Sequence, residues 1–378
     1  MTVQRKQLSV TVVVPTYPSR RCGISTYSAF LLEALQPHVE TKVVAASGGG
    51  ALDLLARVRA AASCSDIVHI QHAFDIYGYL GIQTFPLALL LRHARARVVT
   101  TIHELPPPLT SSLKDRLVAP YLRACIRTLA ASSDATVVHT EASLALLSAW
   151  KVRGRVQLIP HGAAGTLAAS AASSRRAGGR TIGFFGFINQ AKGIHRLIDA
   201  LPSIPGAHLV VAGAPRTTHD EHYATSLREQ VAKLGLGNRV TFKEYVPDEE
   251  LGAFFASIDL LVFPYSHCTA SGALHIALAH GSAVLTSDLP VFEELRRQQN
   301  CLETFALDEP ASLATRIRLL LDDEPRRALL RARATCAARE VSWENVARAH
   351  VQLYGTVLNA ETAGVSRAAS ALNSGGGQ

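Results

Sequence analysis

The sequence predicts an α/β protein built from two doubly wound parallel-sheet domains, and three observations lead there. β-Branched runs alternate with amphipathic stretches along nearly the whole chain, the pattern of a parallel sheet covered on both faces. The alternation is interrupted once, by the small, polar, glycine-bearing stretch AAGTLAASAASSRRAGGR at 163–180, and then begins again. The length of 378 residues suits two domains, each large enough to bury its own core.

In the first half, aliphatic and β-branched runs predict strands at 8–14, 41–45, 66–70, 97–102, 135–139 and 156–159, with helical stretches such as 26–35 and 113–131 between them. In the second half, strands are expected at 181–185, 208–212, 240–242, 260–263 and 283–286. Helices are expected at 193–201, 221–234, 248–256, 273–279 and 290–297, and helices dominate from there to 358. The boundaries that follow are a first domain at 1–162, a linker at 163–180, a second domain at 181–342, a helix at 343–359 and a low-complexity tail at 360–378, whose composition marks it as disordered. Two such domains in tandem imply a cleft in which the carboxyl ends of both sheets face a shared ligand.

Composition narrows the function classes. The hydrophobic fraction is 48% against 18% charge, as in globular proteins, and no apolar stretch reaches the length of a membrane span. The N-terminus, MTVQRKQLSV, leads straight into a strand without a cleavage site. The six cysteines are scattered without CxxC pairs, which disfavours a zinc site or a disulfide framework and fits a reducing, cytoplasmic setting. The net charge of +8 is uneven: residues 1–180 hold 20 Lys and Arg against 9 Asp and Glu, and the remainder carries a slight acidic excess. A basic half suits anionic lipid or a phosphate-bearing acceptor, with a simple compositional bias as the plain alternative. No RNA-binding motif or basic–aromatic stripe accompanies it, so nucleic acid is not expected.

Three strand–loop–helix segments are built to meet phosphate. In TIGFFGFINQAKGIHRLIDAL, residues 181–201, a buried strand ends at Gly186 and Lys192-Gly193 opens a helix whose inward positions are Ile194, Leu197, Ile198 and Leu201. Lys192 at that helix start offers a point charge to a diphosphate; the plain alternative is a surface lysine at an ordinary turn. In residues 260–295, LLVFPYSHCTASGALHIALAHGSAVLTSDLPVFEEL, Ser271 is a helix N-cap and Gly272 lets a ligand approach the backbone, although capped core helices without a ligand are commoner. In VVVPTYPSRRCGISTYSAFLLEAL, residues 12–35, a strand runs into a loop with Arg20, Arg21 and Gly23 before the next helix.

Histidines close several strands: His72, His103, His139 and His161. At strand carboxyl ends such residues face the ligand side, and His72 and His103, following neighbouring strands, are expected to converge on one pocket. No HxH or HExxH pairing accompanies them, so no metal site is expected. Asp322-Asp323 reads as a solvated helix end.

Together these segments resemble the retaining, GT-B-fold glycosyltransferases of family 4. The matching stretches are 12–35, DIVHIQHAFDIYGYLG at 66–81, TIHE at 101–104, VRGRVQLIPHG at 152–162 and FFGFINQAKG at 184–193, then HLVVAGAP at 208–215, LGLGNRVTFKEYVPDEEL at 234–251, the 260–295 block and SWENVARAHVQLY at 342–354. The resemblance implies two Rossmann-like domains, the acceptor mainly on the first and a nucleoside-diphosphate sugar mainly on the second, with the helix at 343–359 crossing back onto the first. It implies that Lys192 contacts the donor diphosphate, that Gly23 lies beside the phosphates, that His103 lies near the donor sugar and that Ser271 and Gly272 form the phosphate-facing helix start. It places Glu294 in a block that carries an acidic residue near the nucleotide.

Two departures stand out. Cys268 and Ile276 occupy the positions of the family's paired glutamates, and neither accepts a hydrogen bond as a carboxylate does. Phe187 stands where an arginine is usual, five residues before the lysine; Arg196 and Arg216 are the candidates to replace it. The expected reaction is metal-independent, retaining transfer of a hexosyl group to a glycan or polyprenyl- or lipid-linked acceptor, as in cell-surface polysaccharide or glycolipid synthesis. His103 and Lys192 are the catalytic candidates, His72 and Arg21 the acceptor-side candidates, and no cofactor is expected besides the donor substrate. Peripheral contact with an anionic membrane is compatible with the basic half. The competing readings are a non-catalytic nucleotide-sugar-binding partner subunit and a sugar-nucleotide epimerase or hydrolase on the same fold.

Overall fold

The computed structural model of the protein describes residues 7–17, 22–46, 50–74, 81–106, 113–163 and 179–374. The chain divides into two compact units, Met1–Pro160 with Trp343–Gln378, and His161–Ser342.

Unit 1 is built on a six-stranded sheet of β1 (Ser9–Val14), β2 (Glu40–Ala45), β3 (Ile67–His72), β4 (Arg97–Ile102), β5 (Ala135–Val138) and β6 (Arg155–Leu158). Its order is β2-β1-β3-β4-β5-β6 and every pairing is parallel. The crossovers are α1 (Gly23–Leu35), α2 (Ala51–Cys64), α3 (Thr84–Leu91), α4 (Leu113–Ala131) and α5 (Glu141–Ala149). Side chains alternate along each strand, so the two faces fill separate cores. Val10, Val12, Val14, Ile67, Val99 and Val137 pack with Leu31 and Leu35 of α1, whereas Val13, Val68, Ile70 and Val98 pack with Leu54, Val58 and Leu87 of α2 and α3.

Unit 2 repeats the plan with β7 (Thr181–Phe185), β8 (His208–Ala212), β9 (Val240–Lys243), β10 (Leu260–Phe263), β11 (Val284–Ser287) and β12 (Glu303–Phe305), in the parallel order β12-β11-β10-β7-β8-β9. Its helices are α6 (Ile194–Ala200), α7 (Thr218–Lys233), α8 (Leu251–Ala256), α9 (Gly272–Ala279), α10 (Pro290–Gln299), α11 (Pro310–Asp322) and α12 (Glu324–Glu340). One core joins the central strands to these helices, with Ile182, Phe184, Leu209, Val211, Leu261, Phe263 and Leu285 all buried. β12 escapes the sequence reading because three residues, ETF, carry too little alternation to register as a strand. The Asp322-Asp323 pair is a helix junction: Asp322 ends α11, and the Asp323 side chain accepts from the Arg326 backbone N–H as the cap of α12.

The last helix, α13 (Trp343–Ser374), returns to unit 1. Val346, Ala347, Leu353, Tyr354 and Val357 recur at helical spacing and join the core of the α1 face, and the Trp343 ring meets those of Tyr27 at 5.0 Å and Phe30 at 5.7 Å. The backbone stays helical to Ser374, through the stretch that composition assigns to a tail from 360. Alanine-rich sequence lacks sequence complexity but has the highest helix propensity, so low complexity there does not exclude helix. Residues 375–378 and most of the expected linker, 164–178, lie outside the described residues. His161, read from sequence as the end of the first domain, belongs to unit 2.

Candidate functional site

The strand orders mark where each unit can bind a ligand. In unit 2 the order reverses between β7 and β10, so the crossovers leaving those neighbours run to opposite sides and open a crevice at their carboxyl ends. The loop after β7 carries Lys192, and the loop after β10 carries Tyr265, Cys268, Ser271 and Gly272. Both phosphate-ready segments of unit 2 therefore meet at its switch point.

Local geometry fixes Lys192 there. After β7 the chain makes a short 3-10 turn, Gln190–Lys192, and enters α6 through Gly193 at φ +66°. A Cβ at Gly193 would lie 2.0 Å from the Pro264 carbonyl oxygen, so glycine is required both for the left-handed backbone and for the close approach to the loop after β10. Lys192 is half-buried, and its Nζ stands 3.7 Å from the centroid of the buried Tyr265 ring, a cation–π contact. Among the described residues Lys192 makes no ion pair with a carboxylate. Burial pushes the Tyr265 phenol up, and the Lys192 charge pulls it partly back. Burial likewise raises the Cys268 thiol against the same lysine, and its Sγ–H donates to the Ala270 carbonyl at 3.2 Å. A neutral thiol thus faces Lys192 at the position where the resemblance leads one to expect a glutamate.

Ser271 caps α9, its Oγ accepting from the Leu274 backbone N–H at 3.2 Å. Gly272 opens the helix, with the His161 ring 3.4 Å from where its Cβ would stand; His161 stacks on His275 at 5.0 Å and 3° between planes. The Cβ position of Gly186, at the end of β7, is 3.3 Å from Ala273, which seats the β7 loop against the start of α9.

The arginine candidates part company. Arg196 points its Nη1 to the Leu307 carbonyl at 3.4 Å. Arg216 is exposed in the loop after β8, and its guanidinium carbon lies 5.0 Å from the centroid of the Phe187 ring. Phe187, the departure from the family pattern, therefore carries an arginine instead of being one. Glu294 is half-buried on α10, the helix that follows β11.

In unit 1 the order reverses between β1 and β3. Gly23, after β1, is the first residue of α1, exposed, with open space where a Cβ would stand, and α1 has no side-chain cap among the described residues. Arg21 lies outside the described residues. His103, directly after β4, is half-buried, with Nε2 at 2.7 Å from Gln71 Oε1, Nδ1 at 3.4 Å from His139 Nε2 and the Tyr27 ring edge-on at 4.7 Å.

His72 does not join His103, contrary to expectation. It is fully buried, Nε2 lies 3.3 Å from Thr84 Oγ1 on α3, and burial lowers its pKa to about 3. The cause is strand parity: His72 pairs in register with Ile102, one residue before His103, so the two side chains point to opposite faces. His72 packs inside unit 1, turned to the face opposite His103. The partner of His103 that sequence reading misses is Gln71, which bonds His69, which in turn meets Tyr354 of α13; Gln71 and His69 share the parity of Thr101 and His103, a signal available in the alternation itself.

Comparison with known proteins agrees with this construction. The family model described as "Glycosyl transferase 4-like domain" matches residues 3–162, and the one described as "Glycosyl transferases group 1" matches residues 168–338. The chain is 24% identical over 251 residues to a D-inositol 3-phosphate glycosyltransferase of Corynebacterium urealyticum, covering 61% of this chain and 59% of that protein. It is 29% identical over 189 residues to a phosphatidyl-myo-inositol mannosyltransferase of Mycobacterium tuberculosis, covering 47% and 48%. The matched region thus spans about half the length of these relatives. Among solved structures, sucrose-phosphate synthase from Thermosynechococcus elongatus superposes with a TM-score of 0.76 at 18% identity, over 94% of this chain and all of that one. Anabaena Alr3699/HepE in complex with UDP-glucose does so with 0.71 at 18%, over 93% and 100%. At that identity the likeness shows the fold, a two-domain GT-B architecture. With the two family models matched in sequence order over 3–162 and 168–338, the chain belongs to the GT-B glycosyltransferases of the family 4, group 1 kind.

Proposed function

We propose that the chain is a retaining, metal-independent hexosyltransferase that takes its sugar from a nucleoside-diphosphate donor bound at the switch point of unit 2. The carrying observation is Lys192, a half-buried cation with no carboxylate partner among the described residues, held over Tyr265 beside the capped start of α9. Departure of the diphosphate concentrates negative charge. A fixed ammonium and a helix N-terminus stabilise it most where water is least able to compete. Lys192 and the α9 backbone at Gly272 would supply this, so no metal ion is needed for charge compensation. Arg216 on Phe187 is the better fit for the family's missing arginine, because Arg196 is already turned to a backbone carbonyl. His103 orients the donor sugar, and the acceptor hydroxyl passes its proton to the leaving phosphate.

The proposed acceptor is a glycan or a polyprenyl- or lipid-linked saccharide, as in cell-surface polysaccharide or glycolipid synthesis. The basic balance of residues 1–180 supports an anionic carrier and peripheral contact with an anionic membrane. Among the described residues no helix is long and apolar enough to cross one. The test is a thermal-shift screen of UDP-, GDP-, ADP- and dTDP-sugars followed by turnover with the stabilising donor. Full transferase activity in Lys192→Ala would overturn the assignment. A second reading, a nucleotide-sugar-binding subunit without turnover, is favoured by one observation: Cys268 donates to Ala270 where a carboxylate would accept from the donor. Donor binding without sugar transfer to any acceptor class would decide for it.

A further inference from the structure

Near the carboxyl ends of three neighbouring strands of unit 1 stand polar side chains of the same parity: Gln71, the penultimate residue of β3, His103 just after β4 and His139 just after β5. Theirs is the face covered by α1 and α13. A line of hydrogen bonds runs through it. The Tyr354 hydroxyl of α13 lies 2.7 Å from His69 Nδ1, and His69 Nε2 meets Thr101 Oγ1 at 2.7 Å and Gln71 Nε2 at 3.2 Å. Gln71 Oε1 lies 2.7 Å from His103 Nε2, His103 Nδ1 lies 3.4 Å from His139 Nε2, and His139 Nδ1 lies 2.9 Å from the Ile159 carbonyl. His69, Gln71, Thr101 and Tyr354 are all fully buried.

The proton positions follow from what each group can do. The Ile159 carbonyl only accepts, so His139 carries its proton on Nδ1, and burial keeps that ring neutral. The amide oxygen of Gln71 also only accepts, so His103 carries a proton on Nε2; its Nδ1 and His139 Nε2 are then both lone pairs, and their 3.4 Å approach is a contact between rings that carries no proton. Gln71 then spends its NH2 on His69 Nε2, beside the Thr101 hydroxyl. His69 is left to donate from Nδ1 to the Tyr354 oxygen. Amide and imidazole orientations are set by such networks, and reversing the amide would break two of these bonds at once.

We propose that Gln71 is a positioning residue that holds His103 as its Nε2–H tautomer, and that Tyr354 on the returning helix keeps the Gln71 amide in that orientation through His69. The α13 helix thereby acts on the chemistry of unit 1 as well as on its packing. The effect on turnover rests on the reading of His103 as the group beside the donor sugar; the tautomer itself is a property of unit 1 and does not.

The test is long-range ¹H–¹⁵N NMR of the ¹⁵N-histidine-labelled full chain, with the His103 signals assigned through His103→Asn, on wild type, Gln71→Leu, Gln71→Glu and Tyr354→Phe. Wild type should show the Nε2–H pattern at His103. Gln71→Leu should show a tautomer mixture, Tyr354→Phe a partial one, and Gln71→Glu, which keeps an acceptor in place, should retain Nε2–H. With donor present, Gln71→Leu should lower kcat by about ten- to a hundredfold with KM little changed. An unchanged His103 pattern in Gln71→Leu overturns the proposal. Should that variant not fold, a wild-type pattern in the isosteric Tyr354→Phe overturns it instead. A shifted tautomer with unchanged turnover upholds the positioning role and removes His103 from the donor site, so the two readings fail separately.

Discussion

Lys192 and Tyr265 leave different strands, β7 and β10, yet the lysine Nζ sits 3.7 Å from the centre of the tyrosine ring. The ring supports the charge without neutralising it, which a carboxylate would do. Removing the charge in Lys192→Ala is expected to lower kcat/KM by about 10²–10³, the cost of losing one fixed electrostatic stabiliser of a transition state. Tyr265→Leu keeps the charge but frees the chain that bears it, and should cost about tenfold or less. Steady-state kinetics with the donor identified by thermal shift compare the two; a larger loss in Tyr265→Leu would contradict the order.

Gly193 combines φ +66° with a built Cβ 2.0 Å from the Pro264 oxygen. Gly193→Ala must both strain the backbone and push two loops apart, so a loss of about 3 kcal/mol or more in stability is expected. Gly252 in α8 has nothing within 4 Å of its Cβ position, and Gly252→Ala should be neutral or stabilise by about 0.5–1 kcal/mol. Urea unfolding curves of the two variants check the contrast.

Acid should destabilise unit 1 before its carboxylates protonate. Burial lowers His72 to about 3 and His139 and His350 to about 4. Each folded-state value lies below the unfolded value near 6.5, so the unfolded chain binds more protons. Their contribution is complete above that value and is lost progressively as pH falls from about 6.5 toward 4, on the order of 1–2 kcal/mol per histidine by pH 5. Denaturant melts at pH 7.5, 6 and 5 should show the fall, and His72→Asn should flatten it.

Trp343 anchors the returning helix, its ring against Tyr27 and stacked 23° from the plane of Phe30. Trp343→Ala is expected to cost about 3 kcal/mol and to increase hydrogen exchange along α1 and α13 together, because they share one core. Exchange confined to α13 would argue that the helix docks without supporting α1.

Under the proposed function, Arg216 over Phe187 takes the part of the arginine expected at 187. Both Arg216→Ala and Phe187→Ala should raise the donor KM several-fold with little change in kcat, as when binding common to ground and transition states is removed. An unaltered KM in Arg216→Ala would return the role to Arg196.

Much of the fold is legible in the sequence because parallel strands buried on both faces are continuous aliphatic runs, as in VVV at the end of β1 or LLVF of β10. Lys192 and Ser271 are legible for a related reason: each lies within a strand–loop–helix segment whose geometry is local. β12 is too short to carry a period. His72 is misread because position at a strand end says nothing of face, and a shift of one residue turns a side chain to the other side of the sheet.

Local pattern by itself determined that this protein has two doubly wound sheets, that a lysine and a capped helix follow their central strands, and that a last amphipathic helix needs an apolar partner. Only the tertiary structure decided which groups those residues meet: Tyr265 under Lys192, Arg216 over Phe187, and Tyr354 reaching His69 across 285 residues. Hydrophobic periodicity reports burial, which is a property of one segment. Hydrogen bonds and cation–π contacts are directional and join segments, so they exist only once the sheet order and the register are in place.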